Sequence, residues 1–332
     1  SKKMANFGLY GLGISKKYGG LDVAGVMHAI AIEEISRVDA SIGMVLLVQT
    51  SLGSIPLMNF GSQQQKEKYL PKIVSGKNVA AFALTEPAAG SDVSNIQTTA
   101  IRNGDEYILN GKKTFVTLGA RADLITVFAK TDKDKGVKNI SAFIVSRDTQ
   151  RVKIGKPINI TGFHSIEICD LLFENCKIPK ENLIGEENQG FIIAMQTLDN
   201  GRVGVSAQAL GIAQAALDTA SLYSKKREQF GGPISNLEAI QWKIAQMATE
   251  IDAARLLVYR AAQMKKSGKK FSKEAAMAKL FASEVAMRAV TDAIQIQGGR
   301  ANMDNLPVAK MTEIYGGTNE IQRLVIARSL LH

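Results

Sequence analysis

The run Phe82–Asp92, FALTEPAAGSD, holds the residues best suited to grip a flat ligand. Ala88, Ala89 and Gly90 are small enough for the backbone to approach such a ligand, and Gly90 permits a turn that a side chain resists. Thr85 and Ser91 supply hydroxyls that donate to or accept from a ring edge or a phosphate. Pro87 breaks any helix and pins the loop. By residue type alone a Gly/Pro/Ser run is an ordinary loop, so its meaning depends on the rest of the chain. Other chemistry-bearing residues are sparse. Cys169 and Cys176 form neither a disulfide framework nor a metal-ligand spacing, which points to a reducing compartment and no metal. His28 sits among apolar neighbours, as a structural histidine does. The glycines at 8, 11 and 13 in GLYGLG do not match the dinucleotide fingerprint GxGxxG, and no strand precedes them.

The elements that must position this loop fall into three segments. The 332 residues are 45% hydrophobic and 22% charged, an ordinary globular composition with room for two or three domains. The first segment, 1–76, is helical. Val26–Arg37 is amphipathic, Asp39–Asn59 reads as a buried helix broken near Pro56, and Ser62–Leu70 reads as a polar helix leading to Pro71. In the second segment, 77–185, short β-type runs alternate with turns: Val79–Leu84, Tyr107–Leu109, Leu124–Ala129, Ile140–Val145 and Leu171–Phe173. Asn110-Gly111 reads as a hairpin turn. No helix-length pattern intervenes, which predicts an antiparallel sheet or small barrel and argues against a Rossmann domain. In the third segment, 186–332, helical patterns cover Gly190–Tyr223, Gln241–Met264, Lys273 to about Ile296, and Asn319–Leu331. Ile240, Ile244, Met247, Ile251, Ala254 and Val258 repeat like the seam of an antiparallel bundle. Ser235 and Glu238 carry the spacing of a capping box. The fold class is α+β: an N-terminal helical domain, a middle antiparallel β-barrel domain and a C-terminal four-helix bundle.

The formal charge of +10 comes from lysines spread along the chain. Without an arginine-rich arm or aromatic interleaving it describes a solvated surface, not a nucleic-acid interface, and it suits an anionic ligand such as a nucleotide thioester. No apolar run is long enough to span a bilayer. The start, SKKMANFGLYGLG, has no signal-peptide segment.

Seven motifs, in order, resemble those of the acyl-CoA dehydrogenase family across nearly the whole chain: Phe82–Asp92, Leu109–Thr117, Phe173–Gly185, Leu198–Val205, Lys225–Gly231, Gln295–Gly299 and Ile314–Gln322. The run Ala194–Leu217 is most similar to the short-chain, butyryl-CoA branch. Relative to the family the initial helices are absent. The resemblance implies FAD as cofactor, an acyl-CoA substrate, an electron-transferring flavoprotein as acceptor, a homotetramer, and a cytoplasmic or mitochondrial-matrix location. It implies that Phe82, Leu84, Thr85, Gly90 and Ser91 line the flavin, with Ser91 also near the CoA. It places Phe115, Val116 and Thr117 around the isoalloxazine. It sends Arg227, Gln229 and Phe230, with the run Gln295–Gly299 (Gln295, Gly298 and Gly299 above all), to the pyrophosphate and adenosine, some across a subunit interface. Thr318 and Glu320 would sit near the FAD, and Asp199, Arg202, Tyr315 and Gly317 near the acyl-CoA. The competing role for Arg202 is an ordinary helix-surface ion pair.

The family chemistry needs a carboxylate to take the thioester α-proton while the β-hydride leaves. In the resembling motif that base is the glutamate of Tyr-Glu-Gly-Thr; here Gly316 stands in its place. The alternative family position, just before the arginine of the LDNGR-type motif, is Gly201. The stretch Gly299–Met303 also differs from the family's glycine- and aromatic-bearing loop, and Pro307–Tyr315 is several residues shorter than the pattern. Glu313 is the nearest remaining carboxylate in sequence. The expectation is an acyl-CoA dehydrogenase lacking its usual base. The alternatives are a lyase- or desulfinase-like relative that binds FAD and acyl-CoA without dehydrogenation, and a catalytically silent subunit.

Overall fold

A computed structural model describes residues 2–132, 139–163, 165–301 and 305–331. The chain divides into two compact units. The first comprises Ser1–Ala24, Val45–Ile160 and His164–Gly201; the second comprises Gly25–Met44, Thr161–Phe163 and Arg202–His332.

The helices of the first segment are α1 (Lys2–Asn6), α2 (Val26–Val38), α3 (Ala40–Leu47), α4 (Ile55–Phe60) and α5 (Gln63–Val74). The apolar stretch after Asp39 is interrupted, as Pro56 predicts: α3 passes into a π-helical turn, Val48–Leu52, and α4 restarts with Pro56 in its first turn. Ala40–Phe60 is apolar enough to cross a membrane by composition alone, but 72% of its apolar window is buried inside the protein. The proline at 71 does not end α5, which runs on to Val74. Pro71 forfeits one helical hydrogen bond, and the buried Leu70 and Ile73 on either side hold the helix together.

The β region holds β1 (Ala80–Ala83), β2 (Thr99–Asn103), β3 (Glu106–Thr117), β4 (Leu124–Lys130), β5 (Ile140–Ser146), β6 (Val152–Pro157), β7 (Ile168–Pro179) and β8 (Leu183–Ile184). They form one eight-stranded sheet in the order β6-β7-β3-β2-β4-β5-β8, with β1 on β4. Pairing is mostly antiparallel, but β1 and β2 both join β4 in parallel. One face packs Phe128, Ile140 and Ile144 against Leu57, Leu70 and Ile193; the other encloses Tyr107, Leu109, Phe143, Leu171 and Phe173.

Asn110-Gly111 is not a hairpin. It lies inside β3, where the register against β7 shifts and Gly111 takes φ +145°. The Asn110 side chain accepts from the Asn175 N–H there, so the Asn-Gly pair makes a bulge and not a reversal. The hairpin turn is Gly104-Asp105, between β2 and β3.

The second unit is helical: α6 (Gly190–Lys226, from residue 202 on), α7 (Glu238–Lys266), α8 (Ser272–Gln297), α9 (Asn305–Thr312) and α10 (Asn319–Leu331), with a small hairpin of β9 (Glu228–Gln229) and β10 (Gly232–Pro233). The predicted seam residues Met247, Ile251, Ala254 and Val258 of α7 are buried. The Ser235–Glu238 capping box does not form. A 3₁₀ turn occupies Ile234–Asn236, Leu237 precedes the helix without a side-chain cap, and Glu238 is already its first residue. A capping box does form at Ser62 and Gln65, at the start of α5. In the core of this unit Glu33 is 3% exposed and accepts from Arg255 Nε and Tyr259 Oη, both at 2.9 Å, which joins α2 to α7. Asn302 and Met303 of the altered loop lie outside the described residues.

Candidate active site

In the first unit, the loop after β1 is held from below. The Gln49 side chain pairs with both backbone groups of Ala80, at 2.9 and 3.1 Å, and fixes the start of β1. Lys113 and Glu86 form a buried ion pair at 2.7 Å, with side chains 0% and 4% exposed. Lys113 Nζ also donates to Leu84 O at 2.9 Å, and Glu86 accepts from the backbone N–H groups of Gln97 and Thr98. Burial pulls the Lys113 ammonium down to about 8, against the opposing pull of Glu86. Burial raises Glu86, but Lys113 and its other donors outweigh that and leave it below the usual carboxylate range.

The same anchor sets the neighbouring strand. Thr114 N donates to Thr85 O at 2.9 Å, which lays Phe82–Ser91 beside the end of β3. A second register shift falls between Lys113 and Val116, and Phe115 inside it takes φ +55°. That conformation costs a bulky residue of order 1–3 kcal/mol, and such outliers gather at ligand sites. The shift turns the Phe115 ring outward, 58% exposed, while Val116 points into the sheet core. Thr85 and Thr117 are half-buried, and Gly90 and Ser91 are exposed with open space around Gly90. Phe82 leans on Phe128, with ring centroids 4.9 Å apart, and Leu84 is buried. Of the predicted flavin neighbours, Leu84 and Val116 therefore offer only backbone. Thr85, Gly90, Ser91, Phe115 and Thr117 offer an exposed ring, three hydroxyls and a small-residue edge.

In the second unit, a cavity of about 440 Å³ lies between the end of α6 and the end of α8. Arg227, Gln229, Gly298 and Gly299 line it with Gln297 of the same Gln295–Gly299 run, as do Tyr223 and Arg300, which the motifs did not assign to a ligand. Gln295 and Phe230 do not line it, and Phe230 is 94% exposed in the two-residue β9–β10 turn with φ +55°. Gly298 and Gly299 have nothing within 4 Å of where a Cβ would sit. Two guanidinium-bearing residues beside bare backbone suit a phosphate-bearing group.

The turn Glu313–Thr318, between α9 and α10, carries Gly316. Gly316 and Gly317 take φ +69° and +91°. Tyr315 Oη donates to Gln208 Oε1, its ring meets Phe163 edge-on at 5.9 Å, and burial pushes its hydroxyl well above the usual phenol value. Asn319 N donates to Glu313 O at 3.0 Å and closes the turn. Lys279 Nζ of α8 donates to Glu313 O at 2.9 Å and to Asn319 Oδ1 at 2.8 Å. Gln322 Nε2 of α10 donates to Gly317 O at 2.8 Å and lies 3.4 Å from Gly316 O and Thr318 O. Burial takes Lys279 down to about 7, with Glu313 opposing and Arg202 adding to the fall. Thr318 Oγ1 accepts from Ile321 N at 3.4 Å, and Glu320 is an exposed residue of the first turn of α10, its carboxylate held low by its own N–H and Thr318. The Glu313 carboxylate is engaged by Lys310 at 2.5 Å. Arg202 is 6% exposed, so it is not a helix-surface ion pair. Asp199 is half-buried on α6 in the first unit. Among the described residues no group of His, Cys, Asp or Glu is arranged to hold a metal.

Each surface has its own chemistry: the exposed aromatic with hydroxyls of the first unit suits a ring system, and the arginine- and glycine-lined cavity of the second suits a phosphate-bearing group. Comparison with known proteins identifies the family. Family models match in sequence order: "Acyl-CoA dehydrogenase, N-terminal domain" over residues 1–77, "middle domain" over 81–176 and "C-terminal domain" over 188–331. An acyl-CoA dehydrogenase of Bacillus subtilis is 47% identical over 99% of this chain and 89% of its own. The solved butyryl-CoA dehydrogenase of Megasphaera elsdenii superimposes with a TM-score of 0.97 at 45% identity, covering 100% of this chain and 89% of that one. A chain from a study of the electron transferring flavoprotein of Acidaminococcus fermentans, concerned with flavin-based electron bifurcation, gives 0.98 at 49% identity with the same coverage.

Proposed function

Because the chain belongs to the acyl-CoA dehydrogenase family of FAD-dependent oxidoreductases, we propose that it dehydrogenates a short- to medium-chain acyl-CoA to the trans-2-enoyl-CoA, slowly for want of the usual base. The observation that carries this reading is the turn Tyr315–Thr318, which is built and braced although residue 316 has no side chain. Bound FAD supplies the hydride acceptor. Thr85, Phe115 and Thr117 would meet its ring system, and Arg227 with Gln229, Gly298 and Gly299 its phosphate-bearing end. The N–H groups of the Gly316–Thr318 turn would polarise the thioester carbonyl, so that the α-proton is acidified before it leaves. Losing a positioned base costs ~10²–10⁴-fold, which leaves a slow dehydrogenase and an intact binding site. An electron-transferring flavoprotein is the proposed acceptor, supported by the likeness to the Acidaminococcus chain. A homotetramer is the proposed assembly, supported by large exposed apolar side chains such as Phe230, Trp242 and Leu256.

Glycine at both carboxylate positions favours a second reading, a non-dehydrogenating acyl-CoA binder of lyase or desulfinase type, or a silent subunit. Anaerobic addition of butyryl-CoA to the yellow protein separates these. Bleaching of the flavin band supports dehydrogenation. A shifted band without bleaching supports the second reading, and release of a small anion from a substituted thioester would then mark a lyase. An unchanged spectrum removes acyl-CoA from the site.

A further inference from the structure

Among the described residues, the backbone of Gly316–Thr318 is tied down on its carbonyl side only. Gln322, fully buried, directs Nε2 at three successive carbonyls, those of Gly316, Gly317 and Thr318. Lys279, also fully buried, spans the mouth of the turn from Glu313 O to Asn319 Oδ1, and Ser283 Oγ donates to the same Asn319 oxygen at 3.1 Å. Among the described residues nothing accepts a hydrogen bond from the N–H groups of Gly316, Gly317 or Thr318. The peptide is planar and trans, so each tethered carbonyl turns the following N–H to the opposite side. Tethering Gly316 O and Gly317 O therefore sends the Gly317 and Thr318 N–H groups the other way, as a nest of adjacent donors suited to an anion.

Two details show that the tether serves geometry over packing. Among the described residues Gln322 Oε1 is buried with no donor, a cost that leucine of similar shape would avoid. Gly317 is the residue that admits the tether, because a Cβ there would lie 2.9 Å from Gln322 Nε2.

We propose that Lys279 and Gln322 are positioning residues that hold the Gly317 and Thr318 N–H groups as a nest for the negative charge on a thioester-derived enolate oxygen. The proposal rests on the acyl-CoA reading above. Neither side chain touches the ligand in it; each acts through the turn. The nest would discriminate by charge, binding an enolate oxygen much better than a neutral carbonyl, because adjacent N–H donors are worth more to an anion.

Acetoacetyl-CoA tests this, since its acidic C2–H lets it bind as an enolate without help from a base, whereas butyryl-CoA binds with a neutral carbonyl. Calorimetry on the FAD-loaded protein compares the two ligands in wild type, Gln322→Leu, Lys279→Met and Lys279→Arg. The expected result is a tenfold or larger loss of acetoacetyl-CoA affinity in the Leu and Met variants, with less than threefold loss for butyryl-CoA. Their long-wavelength enolate–flavin absorption should weaken, and Arg should restore part of both. If Lys279→Met does not fold, Gln322→Leu alone decides. Equal losses for the two thioesters would show a purely structural role and overturn the proposal, as would wild-type affinities in both variants. A wild-type protein that binds neither thioester overturns the acyl-CoA reading and the proposal with it.

Discussion

Restoring a carboxylate at residue 316 separates a missing base from a misbuilt turn. Gly316→Glu must accept φ +69°, which costs a residue with a side chain about 1–2 kcal/mol. Its Cβ would also lie 3.3 Å from Val205 Cγ2, a tight contact that a few tenths of an ångström of movement relieves. If all of that strain went into flipping the turn, roughly 5–30-fold fewer molecules would hold the active geometry. A positioned general base contributes ~10²–10⁴-fold, so the net gain over wild type should be tenfold or more over most of that range. Gly201→Glu is the control. Gly201 lies inside α6 without a positive φ, and its Cβ would meet only the flexible end of Leu52, at 3.1 Å. Removing a glycine from a helix interior favours the helix by roughly 0.5–1 kcal/mol. The assay is single-turnover bleaching of the flavin by butyryl-CoA under anaerobic rapid mixing, normalised to bound FAD. A gain at 201 alone would put the limit in the geometry of the turn. Folded, FAD-loaded variants at both positions that bleach no faster than wild type would refute the reasoning, because an absent carboxylate would then not be what limits the rate.

The remaining expectations concern the scaffold. Lys113→Met leaves Glu86 buried without its cation and should cost about 3–5 kcal/mol in urea unfolding, with much of the loss recovered in Lys113→Met/Glu86→Gln. Arg227→Ala should weaken FAD binding tenfold or more, since a hydrogen bond to a charged group is worth roughly 1.5–3 kcal/mol; the flavin-to-protein absorbance ratio after gel filtration reads it. Stability should rise with pH from about 7 towards 10, because Lys279 at about 7 and Lys113 at about 8 have shed protons that the unfolded chain still holds. It should fall below about pH 6.5, where the unfolded chain protonates His28 and the buried imidazole, at about 3 through burial and then Lys265, does not. Unfolding midpoints that are flat across both windows would contradict these assignments.

Periodicity made the helices legible. The α7 seam is buried from Met247 on and only half-buried at Ile240 and Ile244, and α10 spans Asn319–Leu331 as expected. Local turn chemistry misled where tertiary pairing overrode it. Asn110-Gly111 has the composition of a hairpin turn, but β7 continues alongside through Phe173–Cys176 and holds β3 extended across it. Ser235 has the spacing of a cap, but a 3₁₀ turn intervenes. The site was legible as motifs and not as mechanics. Lys279 sits in an alanine-rich helix and reads as a solvated lysine. The available signal was its helical phase, which it shares with the buried Ala275, Ala276, Ala282, Ser283 and Ala286. Arg300 follows the Gln295–Gly299 motif closely enough to have been included with it.

The lost carboxylate and the retained turn have a common explanation in how the turn is held. Among the described residues, the tethers of the turn run through carbonyl oxygens and through the side chains of residues 279, 283, 315, 318, 319 and 322. None passes through a side chain at 316, whose absent Cβ would have had a single neighbour within 4 Å. The conformation also suits glycine better than any other residue, since φ +69° carries no penalty without a Cβ. Replacing a glutamate there removes a proton acceptor while relieving backbone strain, so the change is neutral or favourable for folding. A site can therefore lose its chemistry at this one position with no structural signal elsewhere. On the proposed reading, proton abstraction and oxyanion binding use different atoms of the same residue, and glycine at 316 removes only the first.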